Sequence, residues 1–216
     1  MDFELARFNM VEQQIRTWEV LDQDVLDLLF VVKREAFVPA QWQSLAFADL
    51  ELPLSNGEKM WAPRVEARVL QALQLRGGEK VLEVGTGSGY FSALLASRAA
   101  IVTSVEIDRA LSLEAAQRLA RARFANVRCE VGDAAQGWGD ATYDAIVLTG
   151  STPLLPDALF AQLRPHGRIF AVVGDMPVMT ARLFERTAQE SRVATDLFET
   201  VVAPLRNAAS PARFKF

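Results

Sequence analysis

Two rhythms of apolar and polar positions run along this chain, and the change from one to the other divides it. Through the first third, apolar residues recur every three or four positions. Phe8, Val11, Ile15 and Trp18 predict an amphipathic helix with Glu12, Gln13 and Arg16 outside. A second helix follows, N-capped by Asp22 or Asp24, with Val25, Leu28, Leu29 and Val32 inside; it ends at Lys33-Arg34-Glu35, before Phe37-Val38-Pro39. The stretch from Asp49 to Asn56-Gly57 carries Pro53 and a turn dipeptide, which predicts a loop. Pro63 suits the first turn of a third helix with Val65, Val69, Ala72 and Leu73 on one face, stopped by Gly77-Gly78.

Beyond that point short β-branched runs alternate with helical faces. Val81–Val84, Ile101–Glu106, Val127–Val131, Asp144–Leu148 and Ile169–Val173 read as strands. The helical faces between them run from Tyr90 to Leu95, through Leu111, Ala115 and Leu119, and through Leu155, Leu159 and Leu163 to an end at Pro165-His166-Gly167. Thr180–Thr187 and Arg192–Val202 predict an antiparallel pair closing one edge. The expected fold is α/β: a Rossmann-like seven-stranded, mostly parallel sheet with helices on both faces and an N-terminal helical extension. The chain is expected to form one domain: residues 1–76 as N-terminal helices with an acceptor-side loop, 77–206 as an α/β core, and 207–216 as a fraying tail.

Composition narrows the chemistry. The chain has 216 residues, 50% hydrophobic and 23% charged, which suits a globular protein with a substantial core. A net charge of −4 argues against wholesale phosphate neutralisation, so no nucleic-acid partner is expected. The opening Met-Asp-Phe-Glu-Leu-Ala-Arg-Phe lacks a signal-peptide pattern, and no apolar run approaches a membrane span. The lone Cys129 reads as buried filler in a strand, and the lack of a disulfide framework fits a reducing cytoplasm. One His and one Cys do not make a soft-metal ligand set.

The candidate chemistry centres on Val81-Leu-Glu-Val-Gly-Thr-Gly-Ser-Gly-Tyr90, a strand that enters three glycines at alternate positions and leaves as a helix. Such a turn presents bare backbone N–H groups to a nucleotide-like ligand. A dinucleotide site reads G-x-G-x-x-G; here the glycines run G-x-G-x-G behind Glu83, an acid that repels an anion and suits a cationic amino-acid end. That arrangement resembles the first motif of the S-adenosylmethionine-dependent methyltransferases. Glu106 ends the second strand, about 20 residues on, where a carboxylate accepts both ribose hydroxyls. Asp108 is a weaker candidate on the same side. Asp133 follows the third strand, in Val131-Gly-Asp-Ala134, where its carboxylate can accept from an adenine amine while a nearby backbone N–H reads the ring.

The likeness extends beyond the turn. Asn9-Met-Val-Glu-Gln-Gln-Ile-Arg16, Arg34-Glu-Ala-Phe-Val-Pro39, Asn126-Val127, Gly132-Asp133, Gly137-Trp138, Tyr143-Asp-Ala-Ile146, Leu155-Pro-Asp-Ala-Leu159, Gln162-Leu-Arg-Pro-His-Gly-Arg168 and Val202-Ala-Pro-Leu205 resemble the protein-L-isoaspartate O-methyltransferases over most of the chain. The resemblance implies S-adenosylmethionine as cofactor and methyl transfer to a carboxylate of damaged protein. It implies a cofactor site of Glu83, Gly85, Thr86, Gly87, Ser88, Gly89, Tyr90, Glu106, Ile107, Asp133, Ala134 and Thr149. It places Lys59, Trp61 and Ser151 on the acceptor side.

On that side the sequence departs from the family. A Gln-Thr-Ile-Ser-type segment precedes the Pro of the family's third helix, whereas this chain reads Gly57-Glu-Lys-Met-Trp-Ala-Pro63, with Lys59 at the Thr position and Trp61 at the Ser position. After the fourth strand, small residues give way to Thr149-Gly-Ser-Thr-Pro153. Lys59 either orients a carboxylate or projects into solvent; Trp61 either walls the pocket or fills it. Ser151 and Thr149 either supply hydroxyls to the acceptor or cap the loop before Pro153. The altered segment carries the expectation of weak or absent isoaspartyl activity, with a small-molecule acceptor or a non-catalytic cofactor-binding role as alternatives to repair of protein.

Overall fold

The computed structural model describes residues 2–209; most of the tail predicted from Asn207 lies outside the described residues. Six α-helices and nine strands lie among those residues: α1 (Phe3–Asn9), α2 (Gln23–Val31), β1 (Leu52–Pro53), β2 (Lys59–Met60), α3 (Pro63–Leu73), β3 (Lys80–Val84), α4 (Tyr90–Ala96), β4 (Ile101–Glu106), α5 (Arg109–Arg121), β5 (Val127–Val131), β6 (Tyr143–Thr152), α6 (Asp157–Ala161), β7 (Leu163–Asp175), β8 (Val178–Arg186) and β9 (Arg192–Thr200).

Seven of the strands form one sheet in the order β5-β4-β3-β6-β7-β8-β9. Strands β3 to β7 run parallel, and β8 and β9 join as the antiparallel pair expected at one edge. The chain travels outward from β3 to β5 and then returns to lay β6 on the other side of β3. That reversal opens a crevice beyond the carboxyl ends of β3 and β6, where open α/β sheets bind ligands.

Period-two alternation splits the β3 side chains between two cores. Val81 packs with the N-terminal helices, α3 and α4, while Leu82 and Val84 join Ile146, Leu148, Ile169 and Leu159 on the opposite face. Asp22 and Asp108 cap α2 and α5, each accepting two backbone N–H bonds.

Three elements differ from the pattern-based expectation. The first helix does not keep one face. After α1 it widens into a π-helical turn over Met10–Ile15 and tightens into a 3-10 turn over Arg16–Trp18. The extra residue per turn rotates the buried face onto Arg7, Met10, Val11 and Ile15, leaving Phe8 51% and Trp18 37% exposed. The predicted helix through Leu163 is only Asp157–Ala161, and Leu163, Pro165, His166 and Gly167 already belong to β7. The Gln162 side chain bonds to Trp138 N–H at 2.9 Å and to the Trp138 and Gly139 carbonyls, fixing the chain where the helix would have continued. Third, the Asp49–Gly57 loop includes one arm of a short antiparallel ladder, in which Leu52 pairs with Met60 and Pro53 with Lys59. Cys129, expected to be buried, is half-buried on the edge strand β5.

Candidate active site

A cavity with about 770 Å³ of open space lies over the sheet reversal. Its floor is the end of β3 and the glycine turn, its sides are the ends of β4, β5 and β6, and its roof is the β1–β2 hairpin with the Val202–Arg206 segment. Gly85 adopts φ 98°, and a Cβ there would collide with Thr149 Oγ1. Only glycine fits between that hydroxyl and the turn. Gly87, at φ 54°, faces open space, with Leu54 Cδ1 3.6 Å from where a Cβ would stand. Bare backbone is therefore offered to the cavity at this point.

Glu106, 6% exposed, is held from two sides. Gly87 N–H donates to its Oε2 at 3.0 Å and Asp108 N–H to its Oε1 at 3.1 Å. The carboxylate is thereby fixed on the cavity wall with lone pairs to spare. Asp133 accepts from Ala135 N–H at 3.0 Å and from Asn207 Nδ2 at 2.8 Å. Ile107, Leu111 and Ala134 supply apolar wall between these two acids. Thr149 lines the cavity, but its hydroxyl lies 2.9 Å from the Val84 carbonyl and 2.7 Å from that of Gly85, so it locks β6 to the turn.

Several residues expected at the ligand support the turn from beneath instead. Glu83 is fully buried; its Oε2 accepts from Ser104 Oγ at 2.6 Å and from Ser92 Oγ on α4, and it is not part of the cavity wall. Burial, with no cation to offset it, pushes its carboxyl up to about 8. Glu83 is therefore an internal acid and not a contact for a cationic ligand end. Thr86 Oγ1 lies 2.6 Å from Ser104 Oγ, which ties the turn into the same cluster. Ser88 accepts from Tyr90 N–H, and Gly89 takes φ 85° at the N-cap of α4, packed against Ala115. The buried Tyr90 ring lies under the Arg34 guanidinium at 5.0 Å, and burial raises its phenol. Asp108 is committed to capping α5, with Asn56 of the hairpin 3.4 Å away.

The acceptor-side residues separate in the same way. Lys59 lines the cavity with its ammonium 3.3 Å from Glu51 Oε2. Trp61, 6% exposed, also lines it, yet its ring packs on Phe91 at 5.5 Å and Phe170 at 6.1 Å. Among the described residues its indole N–H has no partner, and its carbonyl accepts from Arg34 at 2.7 Å. Ser151 does not reach the cavity. Its hydroxyl donates to the Val202 carbonyl at 2.8 Å, and the backbone of Ser151 also bonds to Ala203 and Leu205. It anchors the C-terminal segment, which is neither of its two expected roles, because the partner lies 51 residues away and not in its own loop.

Sequence reasoning missed Arg34 and Glu66. They form a buried ion pair in which Arg34 also donates to the Ala46 carbonyl at 2.8 Å, so one guanidinium joins α3 to the segments on both sides of the hairpin. It also missed the hairpin and tail walls Leu54, Glu58, Leu205 and Arg206. For Leu205 and Arg34 the only signals were the family-like Val202-Ala-Pro-Leu205 and Arg34-Glu-Ala-Phe-Val-Pro39, neither of which names a partner.

A glycine turn at a sheet reversal, with acids at the end of β4 and just after β5 lining one cavity, is the arrangement of a nucleoside-cofactor α/β transferase of the methyltransferase class. Comparison with known proteins makes this specific. Residues 6–210 match the family model for protein-L-isoaspartate(D-aspartate) O-methyltransferase. The chain is 40% identical over 195 residues to protein-L-isoaspartate O-methyltransferase 1 of Rhodopseudomonas palustris strain HaA2, covering 90% of this chain and 78% of that one. It is 38% identical over 201 residues to the Methylorubrum populi protein-L-isoaspartate O-methyltransferase, covering 93% and 94%. A solved protein-L-isoaspartate O-methyltransferase superposes with TM-score 0.79 at 24% identity, over 92% of this chain and 65% of the other, which shows the shared fold. The chain belongs to the protein-L-isoaspartate O-methyltransferase family, an S-adenosylmethionine-dependent enzyme family acting on protein carboxylates.

Proposed function

We propose that this chain uses Glu106 and Asp133 to hold S-adenosylmethionine and Lys59 and Trp61 to receive an isoaspartyl carboxylate of a damaged protein or peptide. The observation that carries the reading is one cavity lined both by the two acids, Glu106 and Asp133, and by Lys59 and Trp61. Its residues fit a nucleoside sulfonium: bare Gly87 backbone, a fixed carboxylate for paired hydroxyls, a second for an exocyclic amine, and an apolar slot between them. When bound, the cofactor supplies an electrophilic methyl for in-line displacement.

The chain's own work is then positioning. A carboxylic acid ordinarily loses its proton at about pH 4, so the acceptor is ionised near neutrality and needs no base. His166 agrees with this, since it lies within β7 and not on the cavity wall. Holding the acceptor in line, with water excluded by the hairpin and the tail, supplies the rate. Lys59 brings positive charge to the acceptor end in exchange for Glu51, and Trp61 forms a rigid wall. Because the Trp61 ring is largely taken up by Phe91 and Phe170, it narrows the approach without filling it. That packing favours a retained peptide substrate over the loss of activity expected from the altered segment. Residues 1–76 form the acceptor side. The acidic walls Glu51, Glu58, Glu106 and Asp133 disfavour a nucleic-acid backbone in this cavity, and a cytoplasmic setting without membrane partners is part of the proposal. Among the described residues, no helix is long and apolar enough to cross a membrane.

The test is an acceptor panel with methyl-labelled cofactor: an isoaspartyl peptide, its aspartyl counterpart and small dicarboxylic acids. Label confined to the isoaspartyl peptide is expected. Label on a small acid alone would redirect the assignment to a small-molecule acceptor.

A further inference from the structure

A second cavity, with about 750 Å³ of open space, shares Glu51, Trp61 and Val202 with the first and continues outward from it. It runs between the Asp49–Glu51 loop and the end of β9, over an apolar strip in which Trp18, Leu50 and Val201 are 37%, 39% and 50% exposed. Its charges are unbalanced. Asp49 pairs with Arg64, whose guanidinium also sits 4.2 Å over the Trp18 ring, and Glu51 pairs with Lys59. Glu199, exposed at the end of β9, has no ion-pair or hydrogen-bond partner among the described residues. The cavity therefore presents an apolar trough that ends at one uncompensated negative charge.

Resting on the carboxylate-methylation reading, we propose that this cavity is a subsite for a basic residue beside the methyl-accepting residue of a peptide, with Glu199 as its specificity-determining group. A Lys or Arg side chain has the matching form: an aliphatic stem to cover Leu50 and Val201, and a cationic head for the carboxylate. An acidic neighbour meets Glu199 as a like charge and is disfavoured. Continuity through Trp61 makes the occupant part of the same acceptor and not a separate ligand.

The test uses isoaspartyl peptides identical except for one neighbouring residue, Lys, Ala or Glu, placed in turn on each side of the isoaspartyl position. An exposed pair is worth little, so on one side kcat/KM for the Lys peptide should exceed that for the Glu peptide by about fivefold, through KM. The preference should shrink with added salt. Glu199→Gln should flatten it and Glu199→Lys reverse it, both retaining turnover of the Ala peptide. Equal kcat/KM for all three peptides on both sides, or a preference unchanged in both variants, overturns the subsite alone. No methylation of any peptide, Ala included, overturns the underlying carboxylate reading and the subsite with it.

Discussion

Arg34 joins the N-terminal helices to the acceptor wall, and removing it should have two separable effects. Its guanidinium pairs with Glu66 inside the core, donates to the Ala46 and Trp61 carbonyls at 2.8 and 2.7 Å, and covers the Tyr90 ring. In Arg34→Met the Glu66 carboxyl, 2% exposed and pushed up to about 8 by burial even beside Arg34, is left buried without its partner. Breaking one half of a buried pair costs about 3–5 kcal/mol, a large share of the roughly 5–15 kcal/mol that stabilises a typical domain. Urea denaturation of the native protein, Arg34→Met, Glu66→Leu and the double variant would measure this. Since most of the loss comes from a buried carboxyl left without a partner, whether ionised or forced to take up a proton, Arg34→Met with Glu66→Leu should regain at least half of it. The second effect survives that rescue: without the Arg34 bond the Trp61 carbonyl is freed, so KM for the acceptor peptide should rise severalfold while cofactor affinity holds. A double variant as unstable as Arg34→Met would refute the orphaned-carboxyl argument. Native acceptor KM in a folded double variant would refute the positioning argument.

Three further outcomes are expected. Glu106→Gln should weaken cofactor binding by roughly ten- to a hundredfold, the worth of about 1.5–3 kcal/mol for a charge-assisted bond, and calorimetry would read it. Glu83 is raised in the folded state to about 8 from 4.5, so its contribution to stability is complete below about pH 4.5 and is lost as pH rises toward 8. Glu83→Gln should therefore flatten the fall in unfolding free energy between pH 5 and 8 relative to native, by an amount on the order of a few kcal/mol; an unchanged slope would show the acid is already ionised. Lys59→Thr with Trp61→Ser should change peptide KM more than cofactor affinity, because both side chains stand at the acceptor end; a change confined to cofactor affinity would move them out of the acceptor role.

The sheet and its ligand-binding end were legible because their signals are local. Period-two runs, glycines at alternate positions and an acid at a strand end identify β3, the turn and Glu106 without any distant partner. Glu83 was misread because alternation says that it opposes Leu82 and Val84 but not which face carries the ligand. Its partners, Ser92 on α4 and Ser104 on β4, are set by the packing of those elements. The same holds for Arg34 with Glu66, 32 residues apart, and Ser151 with Val202, 51 apart. The short α6 shows the other weakness of periodicity. Leu155, Leu159 and Leu163 keep helical spacing, yet Leu163 reaches the core from a strand beside Tyr143.

The most direct test of the central claim is site mapping of the transferred methyl on an aged, isoaspartyl-containing protein incubated with this enzyme and labelled S-adenosylmethionine. The account predicts a base-labile methyl ester on the free carboxylate of the isoaspartyl residue, none on ordinary aspartate, and loss of incorporation in Glu106→Gln at limiting cofactor. Stable label on nitrogen or carbon, or no incorporation by a protein that binds the cofactor, would contradict it.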